Sequence, residues 1–179
     1  MKLHIGCGEK FLPGFKHMDI IKRDHIDYVG DAGNLPFLTD GCISEIYACH
    51  VLEHFNRNEI ENVLTEWNRV LRKGGQLRLA VPDFEAIVEE YAKSKNMNII
   101  LGLLYGGQNY EYNFHYQTYD FIRMRELLES AGSGFKDIHK YNWHDFLPAG
   151  YDDYSRAYLP HMDFDNGRLM SLNILATKV

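Results

Sequence analysis

The sequence predicts an α/β protein built on a doubly wound, mostly parallel β-sheet. Three observations support this fold class: short apolar segments that end in glycine or polar residues, amphipathic helical segments between several of them, and glycine pairs where helical segments end. At 179 residues the chain is long enough for one domain with a substantial core. We therefore expect a single domain that spans residues 1–179.

Seven segments have the length and apolar content of strands. They lie at residues 3–5, 15–19, 26–29, 44–49, 76–81, 135–141 and 171–177. The first two are separated by about ten residues, which is too few for the crossover helix that parallel neighbours normally need. Pro13-Gly14 marks a turn there, so we expect a loop that wraps over a ligand.

Helical segments are expected at residues 58–72, from Asp83 onward, at 97–105 and at 119–131. The first is the clearest, because apolar residues recur along it at helical spacing, and Gly74-Gly75 is expected to end it. Asp83 is the expected N-cap of the second helix. The expected buried face of that helix consists of Phe84, Ile87, Val88 and Tyr91. Gly132-Ser133-Gly134 is expected to end the last helix.

The strongest functional signal lies at the start of the chain. Gly6-Cys7-Gly8 follows the first strand, and Asp19 closes the second. Glycines let the backbone turn sharply and approach a ligand closely. An acid at the end of the next strand can bind the two hydroxyls of a ribose. Residues 3–20 are therefore predicted to hold an adenosine-containing cofactor.

Composition narrows the class of partner and compartment. The formal net charge is -6 and no basic run is present, which argues against a long nucleic acid as the main partner. The three cysteines, Cys7, Cys42 and Cys49, form no Cys-x-x-Cys pair, so we expect free thiols in a reducing compartment. No signal peptide or apolar run of membrane-spanning length is evident. We expect a cytoplasmic protein.

At residues 3–8, 19, 31–35, 47–54 and 69–83, the pattern resembles the class I S-adenosylmethionine-dependent methyltransferases. It is most similar to the type 11-like group, whose predicted members are often associated with sugar and polysaccharide modification. The resemblance implies a Rossmann-like, seven-stranded sheet with an antiparallel last strand, here with a shortened N-terminus. It also implies S-adenosyl-L-methionine as the cofactor.

The resemblance implies roles for individual residues. Gly6, Cys7 and Gly8 match the loop under the methionine part of the cofactor. Asp19 matches the ribose-binding acid, and Ile20 then lies beside the adenine. The pair after strand three that contacts the adenine is matched by Asp31 and Ala32. The end of strand four, which borders the cofactor and its methyl group, is matched by Cys49 and His50.

Three departures from the family pattern support an alternative function. His4 stands where an acid or Asn is usual, Lys10 stands where a third glycine is common, and the first helix is nearly absent. The alternative is a catalytically degenerate Rossmann-like binding or scaffold protein. A third interpretation is another nucleotide-binding enzyme. An NAD(P) site is disfavoured, because Gly-x-Gly-x-x-Gly is absent and Asp19 follows Gly8 too closely.

The acceptor is predicted from weaker signals. No Asn/Asp-Pro-Pro-aromatic run follows strand four, which favours an oxygen acceptor over the exocyclic amines of nucleic-acid bases. A hydroxyl needs a general base, and His115 in a tyrosine-rich segment is the expected one. Residues 96–117 and 142–170 are expected to form the site of a small-molecule or saccharide acceptor. Residues 152–156 could bind a polyhydroxylated substrate, or lie in a solvated loop or a homodimer contact.

His50 and His54 are four residues apart, which on a helix would place both on one face, as in some zinc sites. No third ligand is evident from the sequence. The preferred interpretation is that both rings pack and hydrogen-bond around the first turn, and no metal is expected.

Overall fold

The computed structural model describes residues 1–130 and 134–179. Nine strands are present in these residues: β1 (Lys2–Ile5), β2 (Lys16–Asp19), β3 (Tyr28–Val29), β4 (Ile43–Cys49), β5 (Leu71–Pro82), β6 (Phe135–Lys140), β7 (Tyr158–Leu159), β8 (Arg168–Leu169) and β9 (Ser171–Lys178). The α-helices of the same residues are α1 (Ile60–Val70), α2 (Phe84–Ser94), α3 (Leu101–Tyr105) and α4 (Phe121–Ser130). Short 3-10 turns occur at Leu52–His54, Met97–Ile99, Trp143–Asp145 and Tyr154–Arg156.

Seven of the strands form one sheet in the order β3-β2-β1-β4-β5-β9-β6. The pairings of β1 to β5 are parallel, whereas β9 runs antiparallel to both β5 and β6. The predicted seven-stranded, mostly parallel sheet with an antiparallel last strand is thereby confirmed. Strand order reverses at β1, and ligands of such sheets bind outside the carboxyl ends of the strands at this switch point.

The boundary between α1 and β5 corrects a sequence prediction. The helix ends at Val70, because Leu71 already has an extended backbone with φ -68° and ψ 137°. Gly74 and Gly75 lie inside β5, where the register against β4 shifts between Ile43 and Glu45. Gly74 has φ +71°, so the glycines make an irregularity in a long strand and do not end a helix.

Helix α2 begins as predicted but buries a different face. The Asp83 side chain accepts a hydrogen bond from the Glu85 backbone N–H, which confirms the N-cap. Ala86 and Ile87 are buried, whereas three residues of the predicted face, Phe84, Val88 and Tyr91, are 40%, 49% and 39% exposed. The reason is that α2 packs on a narrow cluster with Ile100 and Met170. That cluster covers a stripe only one or two side chains wide.

Helix α4 buries Met124 and Leu128 against the sheet. The sequence predicts that this helix ends at Gly132-Ser133-Gly134. Gly132 and Ser133 lie outside the described residues. No helix in the described residues is long and apolar enough to cross a lipid bilayer.

The two faces of the sheet are covered in different ways. Helices α1 and α4 pack on one face over the main core, which includes Leu3, Ile46 and Trp67. Residues 6–15, between β1 and β2, form turns and contain no helix, as predicted. The other face is covered by residues 142–170, which we call the β6–β9 segment. Its Trp143 and Leu147 pack in a second core cluster with Leu12, Tyr47, Cys49 and Ala80.

Polar contacts fix the β6–β9 segment in place. The Tyr47 hydroxyl donates to Asp153 Oδ2 at 2.6 Å, and Asp153 Oδ1 accepts from the Ser155 backbone N–H and hydroxyl at 2.9 and 2.6 Å. The Arg156 guanidinium lies 4.7 Å from the ring centroids of both Trp143 and Phe164. The segment is therefore an ordered covering layer.

Trp143→Ala tests this covering role. Trp143 is 5% exposed, and truncation of a buried Trp typically costs about 3–5 kcal/mol. We expect the free energy of unfolding in urea to fall by that amount. Ile122→Ala on the exposed side of α4 is the control, because Ile122 is 60% exposed and its loss should change stability by less than ~0.5 kcal/mol. Equal stabilities of the two variants would refute the covering role.

His4 is buried beneath the β6–β9 segment. It is 2% exposed, and its ring centroid lies 5.0 Å from that of Tyr47 and 5.7 Å from that of His17. Burial, with smaller contributions from His17 and His25, lowers the pKa of His4 from 6.5 to about 3. Because the unfolded chain takes up this proton near its ordinary pKa and the folded chain does not, stability falls as the pH drops below that value.

We expect the wild-type protein to lose about 2 kcal/mol more stability than His4→Gln between pH 7 and pH 4.5. Urea unfolding of both proteins at the two pH values measures this difference. His139→Gln, which alters an exposed histidine, should keep the wild-type pH dependence. Parallel pH dependences of wild type and His4→Gln would contradict the prediction.

Candidate functional site

The glycine loop after β1 lies at the switch point of the sheet. Gly6 and Gly8 have left-handed backbones, with φ +61° and +56°. A Cβ on Gly6 would lie 2.4 Å from Val51 Cγ2, so a larger residue would displace the turn after β4. A Cβ on Gly8 would meet no atom within 4 Å, so this part of the loop leaves open space beside its backbone.

Asp19 ties the glycine loop to the end of β2. Its Oδ2 accepts from the Gly8 backbone N–H at 2.8 Å, and its Oδ1 accepts from the Ile21 N–H at 2.8 Å and from Arg23 at 3.1 Å. A carboxylate offers about four lone-pair sites, so Asp19 keeps capacity for a further donor. The adjacent Ile20 is 41% exposed and forms an apolar surface beside this acid.

His17 also orders this loop, and sequence reasoning missed it. Its Nε2 accepts from the Leu12 backbone N–H at 2.9 Å, and the Phe11 ring stacks on it at 4.7 Å. The signal that could have found it is its position two residues before Asp19, because alternate residues of a strand point to one side. Asp19 and His17 thus order the glycine loop through side-chain hydrogen bonds to its backbone.

The loop after β3 is fixed against α1. Asp31 Oδ1 accepts from the Gly33 backbone N–H at 2.7 Å, and the Ala32 carbonyl accepts from Trp67 Nε1 at 2.7 Å. A Cβ on Gly33 would lie 3.2 Å from both Phe55 and Val63 side chains. This close packing holds Asp31 and Ala32 at the carboxyl edge of the sheet, next to Asp19.

The chain turns sharply after β4. His50 has φ +53°, and Leu52–His54 forms a single 3-10 turn. A four-residue spacing would place His50 and His54 on one face of an α-helix, but this part of the chain is not α-helical. Between them stands Glu53, which is 0% exposed.

A fourth residue joins this turn from far along the chain. We call His50, Glu53, His54 and His115 the Glu53 cluster. Glu53 Oε1 lies 3.1 Å from His50 Nδ1 and 4.0 Å from His115 Nε2, and the ring centroids of His54 and His115 are 4.8 Å apart. The structure places two further potential donors, Glu53 and His115, beside His54.

Backbone contacts bring His115 to this position. The Tyr116 N–H donates to the Glu53 carbonyl at 2.8 Å, and the Tyr119 hydroxyl donates to the Leu52 carbonyl at 3.3 Å. The His115 N–H donates to the Tyr105 carbonyl at 3.1 Å. Residues 105–119 are thereby docked on the turn after β4.

The side-chain nitrogens of two cluster histidines have definite partners. His54 Nδ1 lies 3.1 Å from the Phe114 carbonyl oxygen, and His115 Nδ1 lies 2.9 Å from the Leu103 carbonyl oxygen. Because a carbonyl only accepts, each Nδ1 must carry the proton, and each neutral ring then presents a lone pair at Nε2. Within the described residues, Glu53 Oε2 and His50 Nε2 have no hydrogen-bond partner, whereas Glu53 Oε1 faces His50 Nδ1.

The members of the cluster shift the pKa values of Glu53 and His115. Burial raises the pKa of Glu53, but the adjacent His50, with His54 and His115, outweighs it and leaves that pKa below the ordinary value. Burial lowers the pKa of His115, and the nearby Glu53 opposes this only in part. At neutral pH the site therefore holds an ionised carboxylate and a neutral His115.

Both segments expected to bind the acceptor reach this cluster. Tyr154 of the β6–β9 segment lies 5.3 Å from His50 between ring centroids, and residues 105–119 supply His115. Tyr154 and Tyr116 are 68% and 61% exposed. Asp153 and Arg156 are instead used inside the β6–β9 segment. Tyr154 is the member of residues 152–156 that faces both the cluster and solvent.

Two cysteines lie near the site, and neither is activated. Burial, together with the charge of Asp19, raises the pKa of Cys7 to about 12, and burial raises the pKa of Cys49 well above its usual value. Both thiols remain protonated at neutral pH, so they pack and do not attack. The structure has three free cysteines in its described residues, Cys7, Cys42 and Cys49.

Part of the site lies in a segment that matches a known protein family. Residues 15–79, which include Asp19 and the turn after β4, match the family model described as "Methyltransferase domain". This match covers part of the chain and, together with the order of the sheet, supports a class I S-adenosylmethionine-dependent methyltransferase. A comparison with curated protein sequences gave no significant match.

Solved methyltransferase structures share the fold. A methyltransferase from Thermotoga maritima, described as a possible histamine N-methyltransferase, is 19% identical, with 99% of this chain and 82% of that chain covered and a TM-score of 0.58. An Archaeoglobus fulgidus methyltransferase is 14% identical, with 99% and 85% covered and a TM-score of 0.57. The 1,6-didemethyltoxoflavin-N1-methyltransferase of Burkholderia thailandensis, solved with S-adenosylhomocysteine, is 14% identical, with 99% and 70% covered and a TM-score of 0.57.

S-adenosyl-L-methionine is the cofactor of this methyltransferase, and the residues present fit it. The open space beside Gly8 admits a ligand against the loop backbone, and Asp19 retains acceptor capacity for a hydroxyl. The exposed Ile20 offers an apolar surface next to that acid. The cofactor supplies a methyl group already activated on a sulfonium.

Proposed function

We propose that this methyltransferase transfers the methyl group to a hydroxyl oxygen of a small or sugar-like acceptor. The observation that carries the proposal is the His50–Glu53 pair at the end of β4. A hydroxyl is a poor nucleophile until its proton is removed, whereas a neutral amine is already nucleophilic. A paired histidine and carboxylate beside the methyl donor is therefore most useful to an oxygen acceptor.

We assign the donor-binding roles as the family resemblance implies. Gly6, Cys7 and Gly8 hold the methionine part through the loop backbone. Asp19 binds the ribose hydroxyls, with Ile20 against the adenine. Asp31 and Ala32 contact the other side of the adenine, and Cys49 and His50 border the methyl group.

His50 is the general base in this proposal. Its Nδ1 faces Glu53 Oε1 at 3.1 Å, and its buried Nε2 has no partner in the described residues. The carboxylate orients the ring and stabilises the imidazolium that forms. The acceptor oxygen forms the new carbon–oxygen bond as the carbon–sulfur bond breaks, with that electron pair staying on sulfur. His50 Nε2 takes the hydroxyl proton.

His115, the base expected from the sequence, remains a prediction, and the geometry supports His50 better. The two ring nitrogens of His115 face the Leu103 carbonyl and Glu53, so neither is directed to a free position. In this arrangement His115 acts through Glu53 and is a positioning residue.

The acceptor surface supports a polyhydroxylated or aromatic molecule. Tyr154 and Tyr116 present exposed rings on the two segments that meet at the cluster. Tyrosine combines an apolar face, which packs on the C–H face of a sugar, with a hydroxyl that hydrogen-bonds. A cytoplasmic location and a homodimer remain predictions from the sequence.

His50→Gln tests the base. We expect kcat for hydroxyl acceptors to fall by about 10²–10⁴, because general-base catalysis typically contributes that factor. Methyl transfer from labelled donor to a panel of monosaccharides and phenols measures it. Phenols with strongly acidic hydroxyls should lose much less, since they need no base.

His139→Gln is the matched control, because His139 is exposed and lies outside the Glu53 cluster and outside both expected acceptor segments. It should retain wild-type kcat. If His50→Gln lost donor affinity and kept kcat, His50 would be a cofactor contact only. If the wild type methylated only amines in a parallel panel, the proposed oxygen acceptor would be wrong.

Asp19→Asn tests the donor site. The variant keeps an acceptor for the Gly8 N–H but loses the charge that strengthens hydrogen bonds to ribose hydroxyls, so we expect donor affinity to fall about tenfold. Calorimetry with S-adenosylhomocysteine measures this. Asp24→Asn, an exposed acid in the same β2–β3 loop, should bind as wild type. Unchanged affinity of Asp19→Asn would remove Asp19 from the donor site.

A further inference from the structure

The Glu53 cluster contains more donors than a proton acceptor requires. One potential ligand atom from each of Glu53, His54 and His115 lies within 4.8 Å of the others. Glu53 is 0% exposed; its Oε1 lies 3.1 Å from His50 Nδ1, whereas its Oε2 has no hydrogen-bond partner in the described residues. Such a group normally costs free energy, so its retention points to an occupant that the protein side chains do not replace.

We propose that Glu53, His54 and His115 bind a divalent transition-metal ion such as Zn²⁺. Two imidazoles and one carboxylate are a donor set that such ions prefer, whereas Mg²⁺ and Ca²⁺ take oxygen ligands. Bonds of about 2.0–2.2 Å would place neighbouring ligand atoms about 3.3 Å apart. Side-chain movements of about 1 Å would bring the ligand atoms to that spacing.

The surroundings of the two histidines are those of metal ligands. Metal-binding histidines almost always donate the second ring N–H to a carboxylate or a backbone carbonyl, which fixes the tautomer. His54 and His115 each do so, to the Phe114 and Leu103 carbonyls. These bonds occupy Nδ1 of each ring and leave Nε2 for an ion, and His115 Nε2 already lies 4.0 Å from Glu53 Oε1.

Three protein ligands leave a coordination position for water or a substrate atom, as in catalytic zinc sites. His50 is not needed as a ligand, and its Nδ1 keeps its contact with Glu53 Oε1 at 3.1 Å. If the proposed O-methylation is correct, the ion would bind the acceptor hydroxyl and lower its pKa next to His50. This second role rests on the proposed function, whereas metal binding itself does not.

Metal binding is tested on the whole chain without donor or acceptor. After chelator treatment, equilibrium dialysis against Zn²⁺ should give one ion per chain, and Co²⁺ should give a visible d–d absorption band. We expect His54→Gln and His115→Gln each to weaken Zn²⁺ binding by more than ~100-fold. His161→Gln should bind as wild type, which separates the cluster from the other histidines.

A second measurement does not depend on the folding of variants. In the Co²⁺-loaded wild type, NMR should show two shifted, slowly exchanging imidazole N–H signals from the Nδ1 protons of His54 and His115. Absence of stoichiometric binding would overturn the proposal, as would equal affinity of the His115→Gln and wild-type proteins. Metal binding without methylation of any hydroxyl acceptor would support the site and reject the O-methylation. Methylation that survives metal removal would confine the ion to a structural role.

Discussion

The organising constraint of the site is the burial of one carboxylate. Glu53 is 0% exposed, and removal of a charged group from water costs several kcal/mol unless neighbours compensate it. The compensation comes from imidazoles, which lie on a sharp turn and on a distant segment. Because the Glu53 carbonyl also accepts from the Tyr116 N–H, one residue fixes both the charge and the docking of residues 105–119.

The covering of the sheet links the fold to the same cluster. With no helix in residues 6–15, the face around Tyr47 would lie open to water. The β6–β9 segment closes it through Trp143 and Leu147, and the same segment delivers Tyr154 to His50. A change that loosened this layer would therefore alter both the stability of the sheet and the surface offered to the acceptor.

Local pattern was enough for much of the fold. Strand positions, α1 and the Asp83 cap follow from apolar periodicity and capping chemistry, which depend on neighbours in sequence. The buried face of α2 was wrong, because Phe84 and Val88 have the right spacing but the partner cluster is too narrow to cover them. Spacing states which residues share a face and does not state how wide the opposing surface is.

The site also contains some residues that local sequence patterns predict and others that they do not. Gly6, Gly8 and Asp19 are recognisable from type and spacing, because each is needed for a local backbone conformation or contact. Glu53 could not be found, because an isolated glutamate near a helical segment indicates solvent exposure. Its burial depends on His115, which the fold brings from beyond α3, and no short-range pattern encodes that contact.

The two proposed chemistries are compatible because a carboxylate has two oxygens. Glu53 Oε1 lies 3.1 Å from His50 Nδ1 and 4.0 Å from His115 Nε2, while Oε2 has no partner in the described residues. One carboxylate can therefore orient His50 through one oxygen and ligate an ion through the other. An ion bound to the Nε2 atoms of His54 and His115 would also occupy their lone pairs. Those rings could then not accept the acceptor's proton, which leaves His50 as the base. His50 and His54 of one turn would then have distinct tasks, because Nδ1 of His50 faces the Glu53 carboxylate, whereas Nδ1 of His54 faces the Phe114 carbonyl.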